Sequence, residues 1–525
     1  MTLVATNSAE DFDAFRAELP PDHAPVLMAI ASRRDIVQAQ TRFFGDLLAE
    51  HAESRVPLHL SCRGWAHTRA RRAILGVLLL TAFLALVVQV PLLIFTLLAG
   101  WASFTLVLAA LQKAAAFLAR ITEPASDPPA LPDARLPRIS LIVPLYQENT
   151  IATSLITRLR ALSYPKCLLD VVLVLEEHDA KTRAVLQRTV LPRWIDVLEV
   201  PRGGLTTKPR ALNYTLDFCR GDIVGVYDAE DAPAADQLER VARHFAAAPP
   251  EVVCLQGVLD YYNPRANWLS RCFAIEYATW FRVILPGLAR LRLAIPLGGT
   301  TVFFRRSALL DLGGWDAHNV TEDADLGFRL ARNGYRTELV RTVTSEEAAN
   351  RILPWIRQRS RWLKGYLVTY LVHMRRPAAL FRDLGAWRFL GFQIFFLTAL
   401  TQFLLAPVLL TFWAFLFGIQ HPFQDLLPTG ALIGLLTVFF ATEILNITVS
   451  AFAVSGSKHR HLMLWVPTLI AYFPMGAIAA YKALIELVFL PFYWDKTEHG
   501  HSLPPRSDTL FRSRRVELQP GDKRD

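Results

Sequence analysis

Residues Asp222–Asp231 read DIVGVYDAED, an apolar run of strand character that ends in three acids within four residues. Similar strand patterns recur along the chain, and helix-like stretches separate them. The strand candidates are Ile139–Val143, Val171–Leu175, Asp222–Tyr227 and Val252–Leu259, and the helix candidates include Pro209–Cys219 and Ala235–Ala247. Strands that alternate with helices predict an α/β unit with a mostly parallel sheet covered on both faces.

The chain as a whole is more apolar than a soluble protein of its length. It has 525 residues, of which 52% are hydrophobic and 20% charged, and its mean hydropathy is +0.27. This composition indicates membrane segments and more than one structural unit. The net charge of +9 fits basic loops beside membrane helices, a basic site for a diphosphate, or both. No nucleic-acid-binding module is recognisable in the sequence, so we expect no nucleic-acid partner.

Two apolar regions flank the α/β unit and divide the chain into five predicted parts. Residues 73–119 carry one charge, Lys113, and are long enough for a hairpin of two spanning helices with its turn at Pro91 or near Gly100. The predicted parts are a cytosolic N-terminal extension (1–72), this transmembrane hairpin (73–119), a cytosolic α/β unit (138–375), C-terminal transmembrane helices (387–494) and a cytosolic tail (495–525).

Basic residues beside the apolar regions predict which side of the membrane each end faces. Arginines within Arg69–Arg72 favour a cytosolic position for the start of the hairpin, and the arginines of the tail favour the same side for the tail. Three candidate spans follow the α/β unit, namely Phe389–Phe417, Ala431–Val454 and Leu462–Trp494. The last stretch is short for two full spans, so a short hairpin and one span with an interfacial helix both remain open.

The acids that follow the strand at 222–227 are the first candidates for chemistry. Asp228 and Glu230 would lie at the carboxyl edge of the sheet, where ligands bind in open α/β folds. Their oxygens suit Mg²⁺ or Mn²⁺, and either ion would neutralise a leaving diphosphate. An ordinary solvated acidic turn is the alternative interpretation.

A further acid and a basic-aromatic element follow along the chain. Asp323, in the segment VTED, could take a proton from an acceptor hydroxyl as a general base, or could belong to the first turn of a helix capped by Thr321. Gln358, Arg361 and Trp362 form a Gln-x-x-Arg-Trp element. Arg361 would bind a diphosphate and Trp362 a sugar ring, whereas the alternative is an amphipathic helix at the membrane surface.

Polar residues also follow the first two predicted strands. Tyr146 and Glu148 come after the first strand, and Glu176 and Glu177 come after the second. Either pair could hydrogen-bond a nucleotide base and ribose, and either could equally be an ordinary strand–helix turn.

Strand-end acids, a helix-start acid and Gln-x-x-Arg-Trp, in this order, resemble the processive, membrane-bound family-2 glycosyltransferases, such as cellulose and mannan synthases. The resemblance covers about residues 138–375 and, more loosely, the flanking membrane helices. It implies an α/β fold in which a GT-A-type, mostly parallel sheet domain is inserted between transmembrane α-helices.

The resemblance also implies a role for each matching residue. The implied roles are metal and diphosphate binding (Asp228, Glu230), the catalytic base (Asp323), acceptor and diphosphate binding (Gln358, Arg361, Trp362), nucleotide binding (Tyr146, Glu148, Glu176, Glu177, Lys208) and the acceptor loop (Gly298, Gly299, Thr300).

Two segments depart from the family's pattern. Glu176 and Glu177 stand where the family usually has Asp-Asp, and Leu297–Thr300 stands where cellulose synthases carry Phe-Phe-Cys-Gly-Ser. We therefore expect a different acceptor pocket. Trp494–Thr497 resembles the gating loop that covers the bound nucleotide in cellulose synthases, and a simple interfacial anchor is the alternative.

The function implied by the resemblance is an inverting transfer of a sugar from a nucleotide-diphosphate sugar, with UDP-glucose favoured, to a growing β-linked polysaccharide. Mg²⁺ or Mn²⁺ would be the cofactor, and the glycan acceptor, the lipid bilayer and export subunits would be partners. The alternatives are a single-addition enzyme that acts on a lipid acceptor and a transporter or scaffold without activity. We expect a multi-pass protein of the bacterial inner membrane with its catalytic domain in the cytosol.

Overall fold

The computed structural model describes residues 2–6, 26–122, 136–148 and 151–493. Most of the linker between the first apolar region and the α/β unit lies outside the described residues. The segment Trp494–Thr497 and the tail lie outside them entirely. The strands are β1 (Thr2–Thr6), β2 (Val26–Ile30), β3 (Ile139–Leu145), β4 (Leu169–Glu176), β5 (Ile195–Val200), β6 (Ile223–Val226), β7 (Ala232–Pro233), β8 (Val252–Tyr261), β9 (Val302–Arg305) and β10 (Arg336–Glu346).

Helices make up most of the remaining described residues. The α-helices are α1 (Arg33–Ser54), α2 (Arg69–Gln89), α3 (Pro91–Ile121), α4 (Ile151–Ala161), α5 (Ala180–Gln187), α6 (Lys208–Leu216), α7 (Gln237–Ala247), α8 (Trp268–Thr279), α9 (Leu285–Arg290), α10 (Arg306–Asp311), α11 (Glu322–Arg332), α12 (Ile352–His373), α13 (Pro377–Leu404), α14 (Ala406–Leu410), α15 (Phe423–Leu426), α16 (Thr429–Ala453), α17 (Leu469–Tyr472) and α18 (Gly476–Phe489). Shorter 3-10 helices lie at Leu58–Leu60, Arg63–Thr68, Lys166–Leu168, Thr411–Phe417, Arg460–Thr468 and Phe473–Met475, and a π-helical turn at Trp280–Ile284.

Strands β3 to β10 form one eight-stranded sheet in the order β5-β4-β3-β6-β9-β8-β10-β7. The strands from β5 to β6 are parallel, β9 runs antiparallel to β6 and β8, and β10 is parallel to β8. The short β7 pairs antiparallel with β10 at the edge. The predicted α/β fold with a mostly parallel sheet is confirmed.

The apolar runs become strands because both faces of this sheet are covered by helices. All eight residues of β4 are buried, as expected for an inner parallel strand. Successive residues of β3 pack into different cores: Leu141 and Val143 into one, which includes residues of α4 and α7, and Ile142 into another, which includes residues of α6. This alternation follows from the two-residue repeat of a strand.

Long apolar helices stand before and after the α/β domain. Within the described residues, five segments are long and apolar enough to cross a membrane, which indicates a multi-pass membrane protein: Ala70–Gln89, Pro91–Ile121, Pro377–Leu404, Thr429–Ala453 and Arg460–Phe489.

In the first and the final apolar region the helix breaks fall at prolines, whereas α13 is kinked at Gly385, which has a φ of +71°. The first region breaks at Pro91, which occupies the first turn of α3, where its missing N–H costs nothing. The final region contains Pro467 and Pro474 and is divided into 3-10 and α-helical pieces. The span predicted at Phe389–Phe417 differs: α13 begins at Pro377 and ends at Leu404, and a short helix and a 3-10 helix follow.

Buried ion pairs join the α/β domain to the apolar helices. Arg359 of α12 donates to both carboxylate oxygens of Glu276, and Tyr472 donates to the same carboxylate at 2.6 Å. Lys364 of α12 donates to Glu486 of α18 at 2.9 Å. Unpaired charges are costly in such surroundings, so these pairs constrain where α12 can lie.

A buried carboxylate also holds α11 to α12. Asp325 accepts a hydrogen bond from Arg329 Nε at 2.8 Å and lies 3.1 Å from His373 Nε2 of α12. We predict that Asp325→Asn lowers the thermal midpoint of the detergent-solubilised protein, because it leaves Arg329 buried without its counter-ion, at a cost of about 3 kcal/mol. Asp311→Asn, an exposed change at the end of α10, should melt with the wild type. Equal midpoints for all three proteins would contradict the role given to Asp325.

Candidate active site

A single cavity of about 580 Å³ runs from the carboxyl edge of the sheet into the apolar helices. Its volume is typical of a pocket for one small-molecule ligand. Of the predicted site residues, those that line it are Tyr146, Glu148, Glu176, Lys208, Asp228, Glu230, Gly298, Gly299, Thr300, Asp323, Gln358, Arg361 and Trp362. Glu177 is not among the lining residues, and its carboxylate instead accepts a hydrogen bond from the backbone N–H of Arg202 at 3.1 Å.

The acidic turn after β6 divides its carboxylates between the cavity and the protein interior. Asp228 and Glu230 line the cavity. Asp231 is fully buried, and it accepts hydrogen bonds from the backbone N–H of Asp228 at 2.8 Å and from the hydroxyl of Thr300. Burial, reinforced by the charges of Asp228 and Glu230, raises the pKa of Asp231 well above its ordinary value. Asp231 therefore shapes the turn, and the two other acids face the ligand space.

The loop before β9 is held against this turn under backbone strain. Thr301, a β-branched residue, has a φ of +54°, and its N–H donates to the carbonyl of Val226 at 2.9 Å. Gln256 supports the same loop, since its amide accepts from the N–H of Gly298 at 2.8 Å and donates to the carbonyl of Thr300 at 3.1 Å. These contacts fix Thr300 beside the acids. No sequence motif predicts this role of Gln256.

Lys208, at the first position of α6, connects the acidic turn to this loop. Its ammonium group donates to the carboxylate of Asp228 and to the carbonyl of Gly299 at 2.8 Å. A Cβ placed on Gly299 would lie 3.0 Å from Asp323 Oδ2 and 3.7 Å from Lys208 Nζ. Asp323, Lys208 and Asp228, which are far apart in the chain, thus meet around one glycine.

Asp323 lies in the first turn of α11, at the position the sequence predicts. Thr321 occupies the N-cap position, but its hydroxyl makes no capping hydrogen bond. Asp323 accepts a hydrogen bond from the N–H of Ala324 at 2.9 Å, and burial raises the pKa of Asp323 despite the opposing charge of Lys208. Burial and the charge of Asp323 together raise the pKa of Glu322 to about 7. The two neighbouring carboxyl groups therefore titrate as a pair.

Helix α12 presents the Gln-x-x-Arg-Trp element to the cavity. Trp362 and Tyr277 both line the cavity, with their rings 6.2 Å apart, and the buried ring of Phe273 lies 6.1 Å from that of Trp362. Arg359 pairs with Glu276 beside these rings, and both residues also line the cavity. The sequence does not reveal this pair, because 83 residues separate its members, Arg359 occupies a variable position of the Gln-x-x-Arg-Trp element, and Glu276 belongs to no recognisable motif.

Tyr146, Glu148 and Glu176, which the sequence predicts to bind the nucleotide, lie at or just after the carboxyl ends of β3 and β4. The loop after β3 is held by α5: Gln147 has a φ of +54° and its N–H donates to Asp179 at 2.6 Å, and Glu148 N–H donates to Thr182 Oγ1 at 2.9 Å. Glu176 is buried and accepts from Arg210 Nη1 at 3.1 Å, and burial raises the pKa of Glu176 to about 7.

The acids fit a divalent cation only in part. Among the described residues, no group of three or more His, Cys, Asp or Glu side chains is arranged to hold a metal ion. Asp228 and Glu230 supply carboxylate oxygens, which Mg²⁺ and Mn²⁺ prefer. A cation at this position would need further oxygen ligands from a diphosphate and from water, so the residues fit a metal that binds together with such a ligand.

Comparison with known proteins identifies the class of this domain. Residues 137–365 match the family model described as "Glycosyltransferase like family 2". This region is therefore similar to the family-2 glycosyltransferases, and its GT-A-like, mostly parallel sheet lies between long apolar helices.

Particular relatives narrow the comparison. The chain is 29% identical over 303 residues to the β-monoglucosyldiacylglycerol synthase of Synechocystis sp., which covers 55% of this chain and 60% of that protein. The synthase of the same name from Trichormus variabilis is 29% identical over 245 residues, or 45% of this chain and 50% of that protein. The catalytic subunit of cellulose synthase 1 from Komagataeibacter xylinus is 28% identical over 202 residues, or 37% of this chain and 26% of that protein. The chain thus spans only part of the length of these relatives.

A solved structure shows a more distant likeness. The mannosyltransferase PcManGT of Pyrobaculum calidifontis, in complex with GDP-Man and Mn²⁺, superposes with a TM-score of 0.44 at 20% identity. The match covers 71% of this chain and 99% of that chain.

The raised pKa of Asp323 gives a prediction for the pH dependence of sugar transfer. A general base works only when ionised, so kcat/KM should fall on acidification with a midpoint above the range of an ordinary aspartate, which is about 4. We predict that Asp323→Asn abolishes turnover, whereas Glu322→Gln retains activity and an acidic limb. The measurement is kcat/KM against pH for the three proteins. Turnover by Asp323→Asn, or loss of the acidic limb in Glu322→Gln, would show that another group is the base.

Gly299 gives a second prediction, because a side chain at this position would point at Asp323, the predicted base. In Gly299→Ala the added methyl group would press on Asp323 Oδ2 at 3.0 Å, and misplacement of a reacting group by a fraction of an ångström lowers kcat, here by about tenfold. Gly64→Ala is the matched control, since its methyl group would meet Leu58 at an ordinary 3.7 Å. Unchanged kcat in Gly299→Ala, measured beside this control, would place the reacting atoms elsewhere.

Proposed function

We propose that this protein is an inverting glycosyltransferase that moves a sugar from a nucleotide-diphosphate sugar to a hydroxyl group of a membrane lipid. The observation that carries the proposal is the single cavity. At one end lie the acids and Lys208 at the sheet edge, and at the other lie side chains of the apolar helices. A soluble donor and an acceptor embedded in the bilayer could therefore meet at Asp323.

The reaction needs one base and several cations. Asp323 accepts the proton of the acceptor hydroxyl while that oxygen forms a bond to the anomeric carbon. The bond from this carbon to the diphosphate oxygen breaks, and the nucleoside diphosphate leaves with the electron pair. Lys208 and Arg361 stabilise the charge of the leaving group. Attack opposite the leaving group converts an α-linked donor into a β-linked product. A divalent cation at Asp228 and Glu230 would supply further neutralisation when bound.

The membrane end of the cavity supports an amphiphilic acceptor. Its polar lining residues come from three apolar helices: Gln112 and Lys113 from α3, Gln402 from α13, and Asn446 and Ser450 from α16. Lys113 donates a hydrogen bond to the side-chain oxygen of Asn446. Polar side chains inside membrane helices are costly and commonly mark a substrate path. Aromatic residues line the same region, namely Phe395, Phe403 and Phe473.

The named relatives also favour a lipid acceptor over a polymer. The two proteins whose names specify a glucosyldiacylglycerol product match over 303 and 245 residues, whereas the cellulose synthase subunit matches over 202. Diacylglycerol is therefore the first acceptor to test, with UDP-glucose as the first donor.

The growing β-glycan predicted from the sequence is the second candidate. The aromatic side chains of Tyr277 and Trp362 in the cavity lining favour it, because sugar rings pack on aromatic faces. The same polar side chains of α3, α13 and α16 that would bind a lipid head group would also suit a glycan that leaves through the membrane. We place either reaction at the cytosolic face of the bacterial inner membrane, with possible export subunits only for the polymer.

A product assay tests the function directly. Protein in detergent is incubated with diacylglycerol, Mn²⁺ or Mg²⁺, and radiolabelled UDP-glucose, with UDP-galactose, UDP-N-acetylglucosamine and GDP-mannose in parallel. We predict a product with one sugar per lipid on thin-layer chromatography, its absence in Asp323→Asn, and its loss on chelation with recovery when the cation is restored. A labelled polymer would support the second candidate instead. The absence of turnover with every donor would overturn the proposed function.

A further inference from the structure

The N-terminal extension contains a helix, α1, that docks on α6, the helix that begins at Lys208. Arg55, just after α1, donates to the carbonyl of Asn213 at 2.9 Å and to Asp217 at 2.8 Å. In the other direction, the side-chain amide of Asn213 donates to the carbonyl of Ala52 at 2.9 Å. Ala49 and Ala52 of α1 belong to the same core as residues of α6. Helix α1 is thus part of the α/β domain rather than a separate appendage.

One carboxylate of α1 reaches further, toward the loop that precedes α6. Glu53 Oε1 lies 2.9 Å from Arg210 Nε and accepts a hydrogen bond from the N–H of Leu205 at 3.2 Å. Arg210 is fully buried, and its guanidinium also contacts Glu176 at 3.1 Å and the carbonyl of Pro201. A buried cation needs such partners, so Glu53 and Glu176 hold Arg210 from two sides.

Two glycines in the loop leave room for the carboxylate of Glu53. A Cβ on Gly203 would lie 2.4 Å from Glu53 Oε1 and from Arg210 Nη2, and a Cβ on Gly204 would lie 3.0 Å from Glu53 Oε2. Any side chain at Gly203 must therefore displace Glu53 or Arg210. The loop therefore fits closely around the ion pair of Glu53 and Arg210.

The same loop forms part of the cavity wall. Leu205, Thr206 and Thr207 line the cavity, and Lys208 follows directly as the first residue of α6. Glu176, the other partner of Arg210, also lines the cavity. The guanidinium of Arg210 connects Glu53 to Glu176, and the N–H of Leu205 connects it to the loop. Through these two groups Glu53 supports both sides of the cavity end where the nucleotide is expected.

We infer that Glu53 is a positioning residue for the donor: acting through Arg210 and Leu205, it holds the loop 202–207 and Glu176 in the arrangement that binds the nucleotide. This inference rests on the proposed function and gives the N-terminal extension a part in it. Glu53 lies behind the cavity wall and does not itself touch the donor, so its removal acts on donor affinity and leaves the reacting groups in place.

The first experiment compares Glu53→Gln with Glu50→Gln, an exposed change on the same helix. With the nucleotide sugar that the wild type turns over, Glu53→Gln should raise KM about fivefold with kcat little changed, because uniform binding of donor and transition state is lost. Glu50→Gln should match the wild type. Calorimetric titration of each protein with UDP in the presence of Mn²⁺ should show the same loss of affinity for the nucleotide, without turnover. Matching thermal midpoints show that each variant is folded.

The second experiment approaches the contact from the loop. Gly203→Ala should raise the KM for this donor, as Glu53→Gln does. Glu53→Ala vacates space beside Gly203, so Gly203→Ala should raise KM less in that background than in the wild type. The effects of the two changes are then not additive.

The outcomes separate the inference from the proposed function. If the wild type turns over a nucleotide sugar, and Glu53→Gln and Gly203→Ala both keep its KM and its affinity for UDP, the inference is wrong and the function stands. A fall in kcat at unchanged KM would also overturn it, since that would assign Glu53 to the chemical step. If the wild type turns over no donor, the proposed function fails first.

Discussion

The contact between Lys208 and the acids at the sheet edge is the interaction on which the site depends. Burial alone would lower the pKa of Lys208, but the charges of Asp228, Glu322 and Asp323 raise it above its ordinary value. The lysine therefore stays charged among carboxylates that would otherwise repel one another. Its bonds to Asp228 and to the carbonyl of Gly299 join the turn after β6 to the loop before β9. The charge of Lys208 opposes the rise in pKa that burial causes for Glu322 and Asp323.

Several further contacts hold the turn and the loop that Lys208 connects. The acidic turn is held by Asp231 and Thr300, and the loop is held by Gln256 and by the strained backbone of Thr301. Strain of this kind persists only where surrounding contacts fix the backbone. The result is a preorganised site in which charge is balanced before a ligand binds. A diphosphate with its cation would then enter an environment whose dipoles and charges already point at it.

The sequence predicted the sheet and most of the residues around the cavity, because both depend on local patterns. Apolar runs such as Val171–Leu175 became fully buried strands, and acids at strand ends met at one edge because parallel strands share that edge. The contacts that a pattern cannot show are those between distant segments. Glu276 pairs with Arg359 and Glu53 with Arg210, and in each case a charged residue looks like an ordinary surface residue until the fold buries it. Glu177 shows the reverse, since its position in the motif predicts a ligand contact but its carboxylate turns to the backbone of Arg202.

The lining residues at the two ends of the cavity differ in charge. On the α/β side, Lys208 and Arg210 each lie between acids, so the lining attracts an anion that carries its own cation. On the membrane side, the described lining residues bring one lysine, Lys113, and its ammonium is bound to Asn446 of another helix. The remaining polar groups there, such as Gln112, Gln402 and Ser450, are uncharged. Uncharged groups of this kind can hydrogen-bond a neutral acceptor hydroxyl, whereas an anionic acceptor would find a counter-charge only in Lys113 among the described lining residues of this end. The electrostatics of the cavity thus fit a charged donor at one end and an uncharged acceptor at the other, with Asp323 between them.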